Sequence, residues 1–533
     1  MNIRNGGKMM KKKLTKILGA LLVTSLVFGA CSPNASNNNA PSGKEASGSE
    51  NNESTAGKDT LVIATGAEPK SLDAHGANDG DSTRFKHLIY DTLLRQDENQ
   101  AVIPGLVESW EIVDETSINL KLREGVKFHN GNDFNADDVM YTLKRAFDSE
   151  FGNWMVWAID FENSKAVDAY NIELKLTEPC GAQLTQLAFL YVVDKETVEE
   201  MGADAFAENP VGTGPFMFKE WYRGDRVEYT TYKDYWGTVP SFDNLTMRII
   251  SESSSRTIEI ESGGVDVSLQ VAASDISLLE DNDDVKLLRT AGFGNNFIGF
   301  NCAAEPFNNV KVRQAFSYAV DKYSIVEAVY SGMGSVADGP ISPAIWGYNP
   351  NLKQYEQDSE KAKALLAEAG YPDGIKVTLT TSDKAVHVDI AEMLQNQLSK
   401  AGIEVEVITL ENATYLDRII NGEIQMYVLG WTTNTGDADY GLYETFHTGM
   451  PSWSNTARYE NTEVDELLEI GRKNPDQAAR QEAYNKAQEI IVEEAPWIFL
   501  YNSEEVAAVR SNIDGLVSPP SGRYEFNTIT FND

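Results

Sequence analysis

The sequence predicts an α/β protein of more than one domain, and three observations lead there. First, two consecutive units read helix, Ala-Gly, strand: a helix beginning at Ser359 ends at Ala369-Gly370 ahead of a strand from Ile375 to Thr381, and a helix from Ile390 to Lys400 ends at Ala401-Gly402 ahead of a strand from Glu404 to Thr409. Such alternation builds a sheet flanked by helices. Second, the chain has 533 residues, room for about three folding units at roughly 150 residues each. Third, hydrophobic residues make up 42% and aromatics 10%, enough for sizeable cores.

Taken in order, the first element is an address. Lys11 to Lys16 form a positive stretch, and Ile17 to Ala30 is an uncharged apolar run of 14 residues. That is short of the about 20 residues a membrane span needs and fits a signal segment. Phe28-Gly29-Ala30-Cys31 resembles a bacterial lipobox, which implies cleavage before Cys31 and lipid on that cysteine; a plain secretory peptide is the alternative. Residues 32–58 lack any large apolar side chain and read as a flexible tether. The expected location is therefore outside the cytoplasm, on the outer face of the cell membrane, held by lipid alone.

The body opens on a short strand, Leu61 to Ala64. Asn130-Gly131 supplies a turn, and Asn135 caps a helix with Asp138 three residues on, running to about Phe147. In the helix from Ser359, that serine serves as cap and Pro372 as stop. A long helix spans about Ala478 to Glu494, closed before Pro496, and short strands end the chain.

Charge and motifs narrow the function. The net charge is −36, and all six basic residues of the first thirty positions lie upstream of the cleavage point. So acidic a body should repel nucleic acid and anionic membranes. Three cysteines exclude a disulfide-dense scaffold. Cys180 and Cys302 could pair or remain free thiols. No nucleophile-elbow, Ser-x-x-Lys, His-Glu-x-x-His or phosphate-loop motif is present, and the five histidines are scattered. No catalytic residue, metal site or cofactor is assigned. Asp281, Asp283 and Asp284 read as a solvated loop.

Several stretches together resemble one family, the extracytoplasmic solute-binding proteins of peptide-type ABC importers, family 5. They are Leu106 to Glu111, Leu122 to Gly131, Asn135 to Val139 with Leu143-Lys144-Arg145, Gly212 to Phe216, Asp234 to Gly237, Val312 to Phe316 with Ala319 to Lys322, Gly430-Trp431 with Gly436-Asp437, and Glu494-Ala495-Pro496. The matches fall in family order. The resemblance implies a two-lobe periplasmic-binding-protein-like fold (type II, cluster C-like) with an extra subdomain inserted in the first lobe. The first lobe would be residues 59–95, 210–297 and 503–533, the insertion 96–209, and the second lobe 298–502, with hinge crossings near 297 and 502. Ligand would lie between the lobes, which close on it. Lys127 to Gly131 and Gly212 to Pro215 then read as packed turns.

For the pocket, the informative segment is Met426 to Asp439, an apolar strand followed by a polar loop, the strand end where α/β sheets favour ligands. Trp431 offers a flat apolar face with one donor. Thr432 stands beside it. Relatives in the resembled family carry an aspartate for the ligand ammonium three residues after this tryptophan; here the position is Asn434, which cannot neutralise a charge. Asp437 or Asp439 would compensate, Asp437 first, or Asp437 braces the loop. Where relatives carry an arginine for the ligand carboxylate, this chain offers Lys384 and His387. Phe293, Asn295, Trp154 and Trp346 complete the candidates. The expectation is a monomeric binding protein, not an enzyme, that delivers peptide, glutathione included, to ABC permease subunits. A nickel-chelate carrier, a secreted hydrolase and a ligand sensor are the alternatives.

Overall fold

The computed structural model describes residues 58–532; the lipidation site and tether expected at Cys31 and 32–58 lie outside them, except for Lys58. Strand β1 (Thr60–Thr65) is followed by helix α1 (Gly80–Ile89). The chain then builds a separate four-stranded antiparallel sheet from β2 (Val107–Asp114), β3 (Ser117–Leu122), β4 (Lys165–Asp168) and β5 (Asn171–Lys175). Helix α2 (Ala136–Asp148) packs on it. Its start carries the expected capping box: Asn135 and Asp138 satisfy each other's neighbouring N–H groups, which stabilises a helix by about 1 kcal/mol.

Apart from two short two-stranded ribbons, Leu94–Gln96 with Val102–Pro104 and Ile513–Asp514 with Thr530–Phe531, the remaining strands enter one large mixed sheet. They are β6 (Phe216–Tyr222), β7 (Arg226–Thr231), β8 (Asn244–Ile249), β9 (Val267–Ser268), β10 (Val285–Phe300), β11 (Ser335–Val336), β12 (Ile375–Ser382), β13 (Ile403–Leu410), β14 (Met426–Thr432) and β15 (Trp497–Arg510). With β1 they form eleven strands in the order β13-β12-β14-β10-β15-β9-β1-β8-β7-β6, with β11 on β15 off this path. Helices α3 (Ser359–Glu368) and α4 (Ala385–Ser399) are the helices of the two helix-strand units, and β12 and β13 pair in parallel as such units require. Asp358, not Ser359, caps α3: its carboxylate accepts the Lys361 N–H, and Ser359 is the first helical residue. Helices α5 (Thr462–Lys473) and α6 (Gln477–Glu494) close this part of the chain.

β10 and β15 organise the molecule. They have 16 and 14 residues, roughly 50 Å at 3.3 Å per residue, and their ladder links the two halves of the sheet. Along β10, burial is partial from Lys286 to Ala291 and becomes almost continuous from Gly292 to Phe300, as expected where a strand is covered on both faces. Apolar side chains gather in separate cores. One is built on residues 293–501, with Phe297 stacked on Trp497 at a centroid distance of 3.5 Å. A second involves residues 93–192 and includes Leu120, Phe128 and Leu143. A third joins Ile63, Phe85, Tyr229 and Met247 to Ala507 and Phe526. Two lobes, each with its own core, are thus strung on one pair of strands.

The two packed turns behave as read. His129 Nε2 lies 2.9 Å from the Gly214 carbonyl, Gly214 N–H donates to Ile89, and burial pulls the His129 pKa down to about 4. Cys180 and Cys302 are free thiols. Asp281, Asp283 and Asp284 are exposed. No helix among the described residues is long and apolar enough to cross a membrane.

Candidate functional site

The β10–β15 ladder breaks register between Ala291 opposite Glu504 and Asn295 opposite Asn502, a few residues from the crossings expected near 297 and 502. Ser503 sits in the break. Its Oγ accepts the Gly294 N–H at 3.0 Å, and a Cβ on Gly292 or Gly294 would stand 2.8 or 2.5 Å from that oxygen. A side chain at either position would therefore crowd the Ser503 hydroxyl. The bulge turns Phe293 and Gly294 towards a cavity of about 540 Å³, within the size range of small-ligand sites.

Five segments wall this cavity. Helix α1 and its N-cap supply Asp79, Asp81, Arg84 and Lys86. The part of the chain between α1 and β6 supplies Phe151, Trp154, Phe189 and Tyr191. The bulge adds Ser503 and Glu505, the loop after β14 adds Thr432, Thr433 and Asn434, and the C-terminal segment adds Pro520, Ser521 and Arg523. Both lobes contribute, and aromatic rings meet where they face each other: Trp154 lies edge-on to Tyr440, 5.6 Å between centroids. Further out, Gly181 N–H donates to the Arg472 carbonyl at 2.7 Å and Lys473 pairs with Glu178 at 3.3 Å.

Of the sequence candidates, Trp154, Phe293, Thr432 and Asn434 line the cavity. Asn434 donates to the Tyr440 hydroxyl at 2.8 Å, so its amide oxygen is its acceptor towards a ligand. Trp431 and Asn295 lie just behind, opposite each other across β10 and β14. The Trp431 Nε1 donor and the Asn295 Oδ1 acceptor are buried with no partner among the described residues.

The others lie elsewhere. Asp437 and Asp439 are both 3% exposed. Arg480 donates to Asp437 at 2.7 Å, and Arg472 forms a bidentate pair with Asp439 at 2.8 and 3.2 Å. Burial pushes the Asp437 pKa up and Arg480 opposes it. A carboxylate so committed braces the loop, its charge already matched by Arg480. Trp346 packs against Arg480 and Tyr484, and its backbone pairs with the 436–438 loop. Lys384 is the exposed N-cap residue of α4. His387 accepts or donates to Ser382 Oγ at 2.8 Å, with its pKa lowered by burial and by Lys384. Neither lines the cavity.

The cavity's charges come from residues that sequence reasoning missed. Arg84 pairs with Asp81 at 2.7 Å and with Glu505 at 3.5 Å. Lys86 rests on the Ala74 and Ala77 carbonyls at 3.3 and 2.5 Å, and burial lowers its pKa to about 8. Arg523 lies over the Phe189 ring. No local motif marks these positions; the turn chemistry of Pro519-Pro520-Ser521-Gly522 was the one available hint that the tail delivers a side chain inward.

The cavity lies beside the break in the ladder of the two long strands, and known proteins share this chain's sequence pattern and fold. Residues 101–452 match the model of the bacterial extracellular solute-binding proteins, family 5 Middle. The chain is 32% identical to the heme-binding protein A of Haemophilus influenzae over 96% of this chain and 98% of that one. It is 31% identical to the glutathione-binding protein GsiB of Pectobacterium atrosepticum, covering 88% and 94%. The structure of the ABC transporter-associated periplasmic binding protein DppA from Helicobacter pylori in complex with peptide STSA aligns with a TM-score of 0.75 at 30% identity, covering 89% and 98%. The chain belongs to the family 5 extracellular solute-binding proteins, and its two lobes have the periplasmic-binding-protein fold.

Proposed function

We propose that this protein is the extracytoplasmic substrate-binding component of an ABC importer and captures small peptides, glutathione-like ones among them, for its permease subunits. The observation that carries this reading is the cavity itself. It sits at the crossing of β10 and β15, draws walls from both lobes, and combines aromatic faces with charges of both signs. A peptide needs that combination: acceptors for its ammonium, donors for its carboxylate and apolar surface for its side chains. Glu505, whose only ion pair among the described residues is the 3.5 Å contact with Arg84, is the carboxylate available to the ammonium in place of Asp437. The relatives named for glutathione and crystallised with a peptide support the same class. No histidine lines the cavity, which favours peptide over a nickel chelate. Cys31 is the lipid anchor in this reading, and the protein acts as a monomer.

The test is a thermal-shift screen against reduced and oxidised glutathione, di- to pentapeptide pools, and nickel with and without histidine. A ligand at 100 times its dissociation constant adds about 2.7 kcal/mol of stability, a shift of several degrees. Stabilisation by peptides or glutathione is expected. Stabilisation by nickel–histidine alone would overturn the peptide assignment.

A further inference from the structure

Three cations wall the cavity, and they are committed differently. Arg84 is held between Asp81 and Glu505. Lys86 is spent on two backbone carbonyls. Arg523 has no carboxylate within ion-pair distance among the described residues. Its single hydrogen bond there runs from Nη1 to the Ala188 carbonyl at 3.2 Å. A guanidinium carries five N–H donors in a planar fork, so most of its capacity is unspent.

Its placement is fixed from both sides. The guanidinium carbon lies 3.9 Å from the Phe189 ring centroid and 5.3 Å from that of Tyr191. Stacking of this kind holds the plane of an arginine while leaving its donor edge free. The backbone that carries it is held as well. Gly522, at φ +67°, turns beside Arg84 and Glu505, and Thr290 Oγ1 donates to the Ser518 carbonyl at 2.9 Å. Residues 520–523 thereby form a partition: Pro520, Ser521 and Arg523 line the main cavity on one side and a second cavity of about 380 Å³ on the other. Burial lowers the Arg523 pKa, with only the Tyr191 hydroxyl opposing. A desolvated, oriented cation without a counter-charge is costly unless something anionic meets it.

From this geometry we infer that Arg523 is the anion subsite of the cleft and receives a carboxylate of the bound ligand as a two-pronged partner. The inference rests on the peptide reading above and deepens it: the ligand's carboxylate lies against the C-terminal segment of the chain, not at Lys384 or His387. A peptide offers its C-terminal carboxylate, and glutathione offers two.

Calorimetric titration of the full-length protein decides the matter, with wild type, Arg523→Gln, Arg523→Lys and Lys384→Gln compared at matched melting temperature. The probes are di- to pentapeptide pools, the same pools with amidated C-termini, reduced glutathione, and nickel with histidine. Wild type should prefer free acids over amides by about tenfold to a hundredfold, the scale of a desolvated charge-assisted pair. Arg523→Gln should erase that preference while binding amides within about threefold of wild type, and Arg523→Lys, keeping the charge without the fork, should retain part of it. An unchanged acid-to-amide ratio in Arg523→Gln, or its loss in Lys384→Gln instead, overturns the inference and leaves the peptide reading standing. If wild type binds nickel–histidine alone, the peptide reading falls, and Arg523 stands or falls on whether its removal weakens that carboxylate-bearing chelate tenfold. Wild type silent towards every probe overturns both.

Discussion

The loop after β14 and the C-terminal segment 517–523 both lead to the cleft, yet they deploy charge in opposite ways. In the loop, Asp437 and Asp439 are buried and each has its own arginine, so the charge sets the backbone. In the C-terminal segment, Arg523 has no such partner among the described residues and lines the cavity. A buried charge that is already matched holds shape; one left unmatched is costly until a counter-charge meets it.

Among single substitutions, breaking the loop's pairing should produce the largest effect. Asp437→Ala strands Arg480, which is 2% exposed, and should cost about 3–5 kcal/mol of stability by urea unfolding. A loss below 1 kcal/mol would mean that Asp437 does not brace the loop.

The two lobes should also differ in acid. His75, His87 and His129 are buried with pKa values pulled to about 3, 3 and 4, chiefly by burial. His75 is held neutral: its Nδ1 accepts from Arg145 at 2.9 Å and its Nε2–H donates to the Tyr191 carbonyl. A depressed histidine pKa means that the unfolded chain binds the proton first. Stability is therefore full above about pH 6.5, falls as pH drops towards 3, and is lost at up to about 1.4 kcal/mol per pH unit for each histidine. Urea midpoints at pH 7 and pH 5 should show this fall, and His75→Gln should flatten it. Hydrogen exchange at pH 5 should loosen α1 and α2 before α5 and α6; equal loosening would remove the contrast.

The register break between β10 and β15 gives an intermediate effect. Gly294→Ala crowds Ser503 Oγ and should cost about 1–3 kcal/mol as overpacking, relieved by Ser503→Gly in the double variant. An Ala variant as stable as wild type would show that the crossing has room. The smallest effect belongs to the exposed cross-lobe pair: Glu178→Gln should change stability by less than about 1 kcal/mol, with lobe closure by small-angle scattering unaltered.

Much of the architecture was legible from local chemistry. The Asn135 capping box, the helices ended at Ala369-Gly370 and Ala401-Gly402, and the strands after them stand within a few residues of where the pattern put them, because caps and period-two alternation act over short spans. The Ser359 cap was one residue off, since Asp358 competes for the same N–H groups. The site was half legible. Trp154, Phe293, Thr432 and Asn434 line the cavity, whereas Asp437, Asp439, Lys384, His387 and Trp346 do not. Whether a carboxylate meets a ligand or a brace depends on where its arginine sits, and Arg472 and Arg480 come from helices with no sequence link to the loop.

What the sequence by itself determined, then, was the α/β class, the family resemblance and the polar loop after β14, all matters of local pattern and order along the chain. Tertiary structure alone decided which charges are matched. Arg523 meets Phe189 only because β15 runs back along β10 and the chain turns back at Gly522. Charge pairing falls off over a few ångströms, and distances of that kind between remote segments are set by packing, not by sequence spacing.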